Sequence, residues 1–193
     1  RESDWWLKIS RGRSTVPVVV TSGDNGRNPI TVVDSTRVVE YLDELTADFK
    51  PLFSDDLDTR TEQRFWVDHI NERIVPPIYR YLGASQPGEE QDGARRALID
   101  GLEALIYAMS PGGPFFAGET LTAIDLLMIP FAYRIDTLLG HYRAFSVPTE
   151  GEVWGRYAHW YEHMCAMDVF RATATDHDDY RHRLVEKYLS FSQ

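Results

Sequence analysis

Apolar positions along the 193-residue chain follow two different periods. Two short β-branched runs, residues 16–20 and 30–34, flank a stretch, 21–29, whose Gly, Asn and Asp residues supply turn conformations. That segment predicts two strands joined by an irregular hairpin. From Ser35 the pattern changes: Val38, Val39, Leu42 and Leu45 recur at helical spacing and predict one amphipathic helix lying on the sheet. Residues 48–58 then break all periodicity with Pro51 and a cluster of aspartates, as a linker between domains does.

Everything beyond reads as helix. Trp66, Ile70, Ile74, Ile78 and Tyr81 form a stripe interrupted by Pro76 and Pro77, which should kink or divide that helix. A second helix carries Leu98, Leu102, Leu105, Ile106 and Met109 and ends at residues 110–114, Ser-Pro-Gly-Gly-Pro. A third, about 122–139, opens on Thr122 and Asp125 as a T-x-x-D capping box and is apolar on every face, so it should stand at the centre of a bundle. A fourth buries Val153, Tyr157, Trp160, Tyr161 and Met164, and a fifth spans about 176–188. The domains are expected at 1–46 and 59–193, with 47–58 as linker.

Composition narrows the class without changing this picture. Hydrophobic residues at 43% and charged residues at 26% are those of a globular chain with a real core. The longest apolar stretch, 126–133, contains Pro130 and is too short to span a membrane. With the single cysteine, Cys165, no intrachain disulfide is possible, and no secretory leader opens the chain, so a reducing, cytoplasmic compartment is expected. The chain begins at Arg1 rather than a methionine and reads as a fragment of a longer product.

A net charge of −10 argues against nucleic acid as a partner. The excess is uneven. Residues 1–40 hold six basic and five acidic side chains, a balance of +1, which leaves −11 for the rest. A small anionic ligand therefore meets the least repulsion in the first forty residues.

Two local motifs lie in that part. Val16-Pro17 opens a strand, where it reads either as an ordinary edge proline or as a cis bond that turns the Val16 main chain outward to pair with an extended peptide. Asp34-Ser35 stands where a strand ends and a helix begins. Ser35 is there either a plain N-cap or an N–H and hydroxyl offered to a carboxylate, with Asp34 beside it for an ammonium group. Elsewhere the signals read as structural. Cys165 lies beside a buried stripe, and His159 and His163 spell H-x-x-E-H on the solvent face of their helix without a third ligand, so no metal is expected. The acidic pairs Asp55-Asp56 and Glu89-Glu90 and the run 176–179 read as solvated surface.

In order along the chain, five segments resemble the glutathione transferase superfamily, most closely its omega-type and fungal or bacterial members. Asp4-Trp5-Trp6-Leu7-Lys8-Ile9-Ser10 with Gly12 and Val16-Pro17 resembles W-x-x-K-x-N-P-x-G-x-V-P; residues 34–43 resemble E-S-x-x-I-x-x-Y-L. Pro51-Leu52-Phe53 resembles the family linker, Gly118 with Thr122 to Asp125 the G-x-x-x-S-x-A-D capping segment, and Trp160-Tyr161 with Met164 the later W-Y-x-x-M.

The resemblance implies an α+β architecture: a partial thioredoxin-like N-terminal domain that binds glutathione, followed by an all-α helical-bundle C-terminal domain that takes the second substrate. Val16 would then pair with the cysteinyl backbone, Pro17 would be cis, and Asp34 and Ser35 would hold the γ-glutamyl end. Lys8, Arg13 and Thr15 are candidates for the glycyl carboxylate, although residues 11–15 make a longer loop than the family pattern. Phe65, Trp66, His69, Arg73 and Tyr79 are candidates for the electrophile pocket. The catalytic residue is expected in a first β-α-β unit preceding Arg1. Glutathione is thus the implied co-substrate and a small hydrophobic electrophile its partner, in a possible homodimer. The alternatives are a glutathione-dependent cis–trans isomerase of a conjugated double bond and a non-catalytic protein-assembly module.

Overall fold

The computed structural model describes residues 3–13, 15–23, 28–45, 50–175 and 179–192. The chain divides into two compact units, Arg1–Arg60 and Thr61–Gln193.

In the first unit, α1 (Asp4–Ile9) is closed by Gly12, whose φ of 79° lets its N–H reach back to the Leu7 carbonyl at 2.7 Å. Strands β1 (Val18–Val20) and β2 (Thr31–Val33) pair antiparallel, with Val18 opposite Val33 and Val20 opposite Thr31. The hairpin is extended by the Thr21 N–H on the Ile30 carbonyl and the Ile30 N–H on the Thr21 hydroxyl, both at 3.0 Å. Its tip, 24–27, lies outside the described residues. Each strand is shorter than its β-branched run. Pro17 has no N–H to give a ladder, and Asp34 leaves the extended region with φ 85°.

Helix α2 (Ser35–Leu45) lies against both strands and buries Thr36 and Val38. Leu42 and Leu45, expected on the sheet, are instead 45% and 47% exposed. Lengths explain this: three residues of strand reach about 10 Å, whereas eleven residues of helix reach about 16 Å, so the last turns overhang. Of the expected linker, residues 46–49 lie outside the described ones. Residues 50–53 are tied back to α2 by Asp43, whose two carboxylate oxygens accept the N–H groups of Leu52 and Phe53 at 2.8 and 3.0 Å.

Helix α3 (Leu57–His69) starts on a cap supplied by Asp56, one of the acidic pair expected as solvated surface. The Asp56 carboxylate accepts both the N–H and the hydroxyl of Thr59, at 2.9 and 2.6 Å, and these bonds lower its pKa. Helix α4 (Val75–Gly83) continues the same path, separated from α3 by a π turn, Ile70–Ile74, rather than by a break. The Val75 N–H bonds the Ile70 carbonyl five residues back, which shifts the hydrogen-bond register just where Pro76 and Pro77 can donate nothing. Of the stripe, Ile70, Ile74, Ile78 and Tyr81 are buried, and Trp66 at its start is half-buried.

Helix α5 (Glu89–Tyr107) packs on α4 and on the π turn. Helix α6 (Ala123–Arg134) continues through a second π turn, Ile135–Leu139, into α7 (Gly140–Arg143). It is not enclosed on every face: Met128, Ile129 and Ala132 are buried, Leu126, Leu127 and Phe131 are half-buried, and Pro130 is exposed. The apolar pattern could not tell a surrounded helix from one with an open side. Helix α8 (Glu152–Ala166), α9 (Asp168–Phe170) with a third π turn (Arg171–Thr175), and α10 (Tyr180–Tyr188) complete the unit; residues 176–178 of the expected fifth helix lie outside the described ones.

Two arginines fasten this bundle. Arg143 donates to the carbonyls of Tyr81, Leu82, Tyr142 and Ser192, so it closes the end of α4 and holds the chain after α10. Arg156 donates to the carbonyls of Ser110 and Phe115, at 2.8 and 2.6 Å, and clamps the turn before α6. The second unit also buries tyrosines. Burial first, and the Tyr188 hydroxyl 3.5 Å away second, push Tyr79 up from 10.0 to about 12, and burial raises Tyr81, Tyr133, Tyr157 and Tyr161 in the same direction. A folded-state pKa above the unfolded one gives stability that is full below pH 10 and lost as pH rises through about 12. Thermal midpoints are therefore expected to fall between pH 9.5 and 11.5, and Tyr79→Phe to flatten part of that fall; an unchanged slope in the variant counts against this assignment.

Candidate functional site

The corner between β2 and α2 is built by Asp34. Its main-chain carbonyl accepts the Val38 N–H at 2.9 Å, the first bond of the helix, and its Oδ1 accepts the Thr36 N–H at 3.0 Å. Asp34 is thus the N-cap and Ser35 the first helical residue, which corrects the reading of Ser35 as a plain cap. Among the described residues, the exposed Ser35 hydroxyl and N–H have no partner. The φ of 85° at Asp34 is uncommon for a residue with a side chain and costs about 1 kcal/mol or more. Such strain aims Ser35 outward at the positive end of an eleven-residue helix.

Two residues ahead of β1, the Val16-Pro17 peptide is cis, and Val16 is 76% exposed. Among the described residues its main-chain N–H and C=O are unpaired, so they are available to an extended ligand. Arg13, expected near a glycyl carboxylate, stands 3.6 Å from Asp34 Oδ2, at the opposite end of that assignment. No sequence signal marks this contact, because the two residues belong to different segments and carry no shared period. Lys8, in the last turn of α1, and Thr15 are exposed.

Of the five residues expected to form one electrophile pocket, Phe65, Trp66, His69 and Arg73 follow one another along a continuous surface, and Tyr79 does not join them. Phe65 and Trp66 meet edge to face at 5.0 Å, and Trp66 also contacts His69 and Phe116 while its indole N–H donates to Glu62 at 2.9 Å. His69 bonds the Gly101 carbonyl at 2.9 Å, and because a carbonyl only accepts, Nε2 carries a proton. With Arg73 it lines a polar cleft of about 370 Å³ that also holds Glu72, Arg80 and Asp100. Tyr79 stands apart, stacked on Tyr188 and against Phe191. Tyr79, expected after the kink, is drawn away from the other four by its packing against the end of α10 and the residues beyond it.

Cys165 is half-buried, and burial raises its pKa, the reverse of an activated thiol. His159 is exposed, but His163 is half-buried against the Phe115 ring, 5.0 Å away, rather than on the open face. Among the described residues, no three His, Cys, Asp or Glu side chains converge as metal ligands do.

No family model matches the chain. Curated relatives do: glutathione S-transferase DHAR2 of Arabidopsis thaliana is 46% identical over 145 residues, 75% of this chain and 59% of that protein. Glutathione S-transferase U22 of the same plant is 29% identical over 122 residues, 63% of this chain and 52% of the relative. The chain thus spans little more than half the length of these relatives. Among solved structures, the Tau class glutathione S-transferase of mango, Mangifera indica, superposes with a TM-score of 0.79 at 20% identity, covering 99% of this chain and 82% of that one. Glutathione transferase Omega 3C of Trametes versicolor gives 0.72 at 22% identity, covering 88% and 71%. These likenesses show the glutathione transferase fold, its thioredoxin-like part represented here by β1, β2 and α2 ahead of the helical unit. Tau, DHAR and omega proteins stand side by side among these neighbours, so the likeness to the family is firmer than that to its omega branch. The curated and structural neighbours of this chain all point to the glutathione S-transferase superfamily.

Proposed function

We propose that the first unit binds glutathione and that the protein presents its thiolate to a small hydrophobic electrophile. The observation that carries this reading is the corner at Asp34 and Ser35. There an unpaired hydroxyl and N–H stand at a helix start next to a carboxylate, which suits the carboxylate and ammonium groups of the γ-glutamyl end. The Val16 main chain pairs with the cysteinyl backbone, and Lys8 and Thr15 serve the glycyl end. Arg13, beside Asp34, holds that carboxylate in place and adds positive charge for the γ-glutamyl carboxylate. A rice glutathione transferase solved in complex with glutathione, 22% identical with a TM-score of 0.71, supports the ligand class. In the reaction, the thiolate sulfur forms a bond to the electrophilic carbon; either a leaving group departs from that carbon with the electron pair of the broken bond, or a π bond of that carbon breaks and the atom at its far end takes up a proton.

Calorimetric titration with glutathione tests the reading. Ser35→Ala is expected to weaken binding by about 1–2 kcal/mol, roughly five- to thirtyfold, through loss of a hydrogen bond to a charged group. Unchanged affinity removes Ser35 from the site, and no heat at millimolar glutathione in the parent protein overturns the proposal. An assembly module has no use for an unpaired Val16 main chain or an open Ser35 corner, so the same titration separates that reading.

A further inference from the structure

Tyrosine rings meet one another in three places among the described residues, and the places differ in where the hydroxyls go. In Tyr79 and Tyr188 the ring centres are 6.0 Å apart with planes at 23°, yet the two hydroxyl oxygens are only 3.5 Å apart. The rings therefore lean together at their hydroxyl ends. The ring carbons that flank each hydroxyl-bearing carbon lie on this converging side. Tyr133 with Tyr180 and Tyr157 with Tyr161 have centres 6.1 and 6.0 Å apart, but their hydroxyls do not bond each other.

The pair also joins distant parts of the helical unit. Tyr79 belongs to α4 and Tyr188 is the last residue of α10, 109 residues later. Phe191 meets both rings edge to face at 6.1 Å and holds them from one flank. Both tyrosines are half-buried, open to a small oxidant and partly shielded from the tyrosines of another chain.

We infer that Tyr79 and Tyr188 form an oxidative modification site, at which a one-electron oxidant joins the two rings carbon to carbon and latches α10 to α4. Each phenol gives one electron to an oxidant molecule and its hydroxyl proton to water. The two phenoxyl radicals couple through a carbon beside each hydroxyl-bearing carbon. The hydrogen on each coupled carbon then moves to the oxygen, which restores both phenols, so the chain loses two hydrogens and two oxidant molecules are reduced. Rings already held together couple with an advantage that distant rings lack. Hydrogen bonds alone otherwise hold this end of the chain, from the Tyr142 hydroxyl to the Val185 carbonyl at 2.7 Å and from Arg143 to the Ser192 carbonyl at 3.0 Å. A covalent bond across 109 residues removes entropy from the unfolded chain, as a long disulfide loop does. The pair shares no residue with the proposed glutathione site, so each stands or falls alone.

Tris(bipyridine)ruthenium(III), generated by light with persulfate, is the oxidant, applied to the full chain at high dilution. In the monomeric product, tryptic peptides 74–80 and 188–193 are expected joined, two hydrogens lighter than their sum, with the blue fluorescence of dityrosine. Their yield is expected at least about tenfold above that of any other tyrosine pair within one chain. Urea is expected to abolish that excess, because the rings no longer meet. Tyr79→Phe and Tyr188→Phe are each expected to remove the product, whereas Tyr161→Phe keeps it. Oxidation is expected to raise the thermal midpoint of the parent relative to Tyr188→Phe treated alike. Absence of the joined peptides overturns the proposal, as does a yield no greater than that of other pairs or an excess that survives in urea; equal midpoint changes overturn the latch.

Discussion

Replacing Asp125 with alanine is expected to remove about 3–5 kcal/mol of stability, as breaking a buried charged network does. The carboxylate is 0% exposed and accepts four hydrogen bonds: from the Phe116 N–H at 2.7 Å, the Trp160 indole N–H at 2.9 Å, and the Thr122 N–H and hydroxyl at 2.8 and 2.9 Å. It therefore starts α6, fixes the turn before it and ties α8 to both. Alanine leaves those donors buried without acceptors, each at about 1–3 kcal/mol, partly offset by relaxation. Trp160→Phe removes only one donor and is expected to cost less. Urea unfolding of the two variants checks the order; a loss below 1 kcal/mol for Asp125→Ala sinks the account.

Gly101→Ala is expected to destabilise the helical unit by about 2–3 kcal/mol, although alanine is the better helix former by about 1 kcal/mol. A Cβ at this position would lie 2.5 Å from the Arg73 carbonyl oxygen, 3.1 Å from its carbon and 3.3 Å from Ile74 Cγ1. Backbone cannot swing aside as a side-chain tip can. The π turn and α5 would have to separate, and the His69 bond to the Gly101 carbonyl would stretch with them. Gly93, on the same helix, has nothing within 4 Å of its would-be Cβ, so Gly93→Ala is expected to stabilise by up to about 1 kcal/mol. Opposite signs for the two substitutions in thermal unfolding support the steric argument; equal signs defeat it.

What was readable in advance follows range along the chain. The capping box at Thr122 and Asp125, the start of α2 at Ser35, the end of α5 before the 110–114 turn, and the stripe from Ile70 to Tyr81 all appear as expected. Each rests on residues within one or two turns of each other, where spacing alone decides which groups meet. The Asp34-Ser35 junction was legible as a site for the same reason, but its division of labour was not. The two residues share capping chemistry, and only the left-handed φ of Asp34 shows which one closes the helix and which one is left open.

The sequence by itself therefore determined the order of elements, the helical bundle, and the two short segments on which the glutathione proposal rests, because period and local hydrogen bonding are written in neighbouring residues. Tertiary structure alone decided that Arg13 stands beside Asp34, that Gly101 admits the Arg73 backbone, and that Tyr79 leaves Trp66 for Tyr188. Those are contacts between distant segments. They arise from how whole helices pack into the space left by others, and no repeating pattern in either partner encodes them.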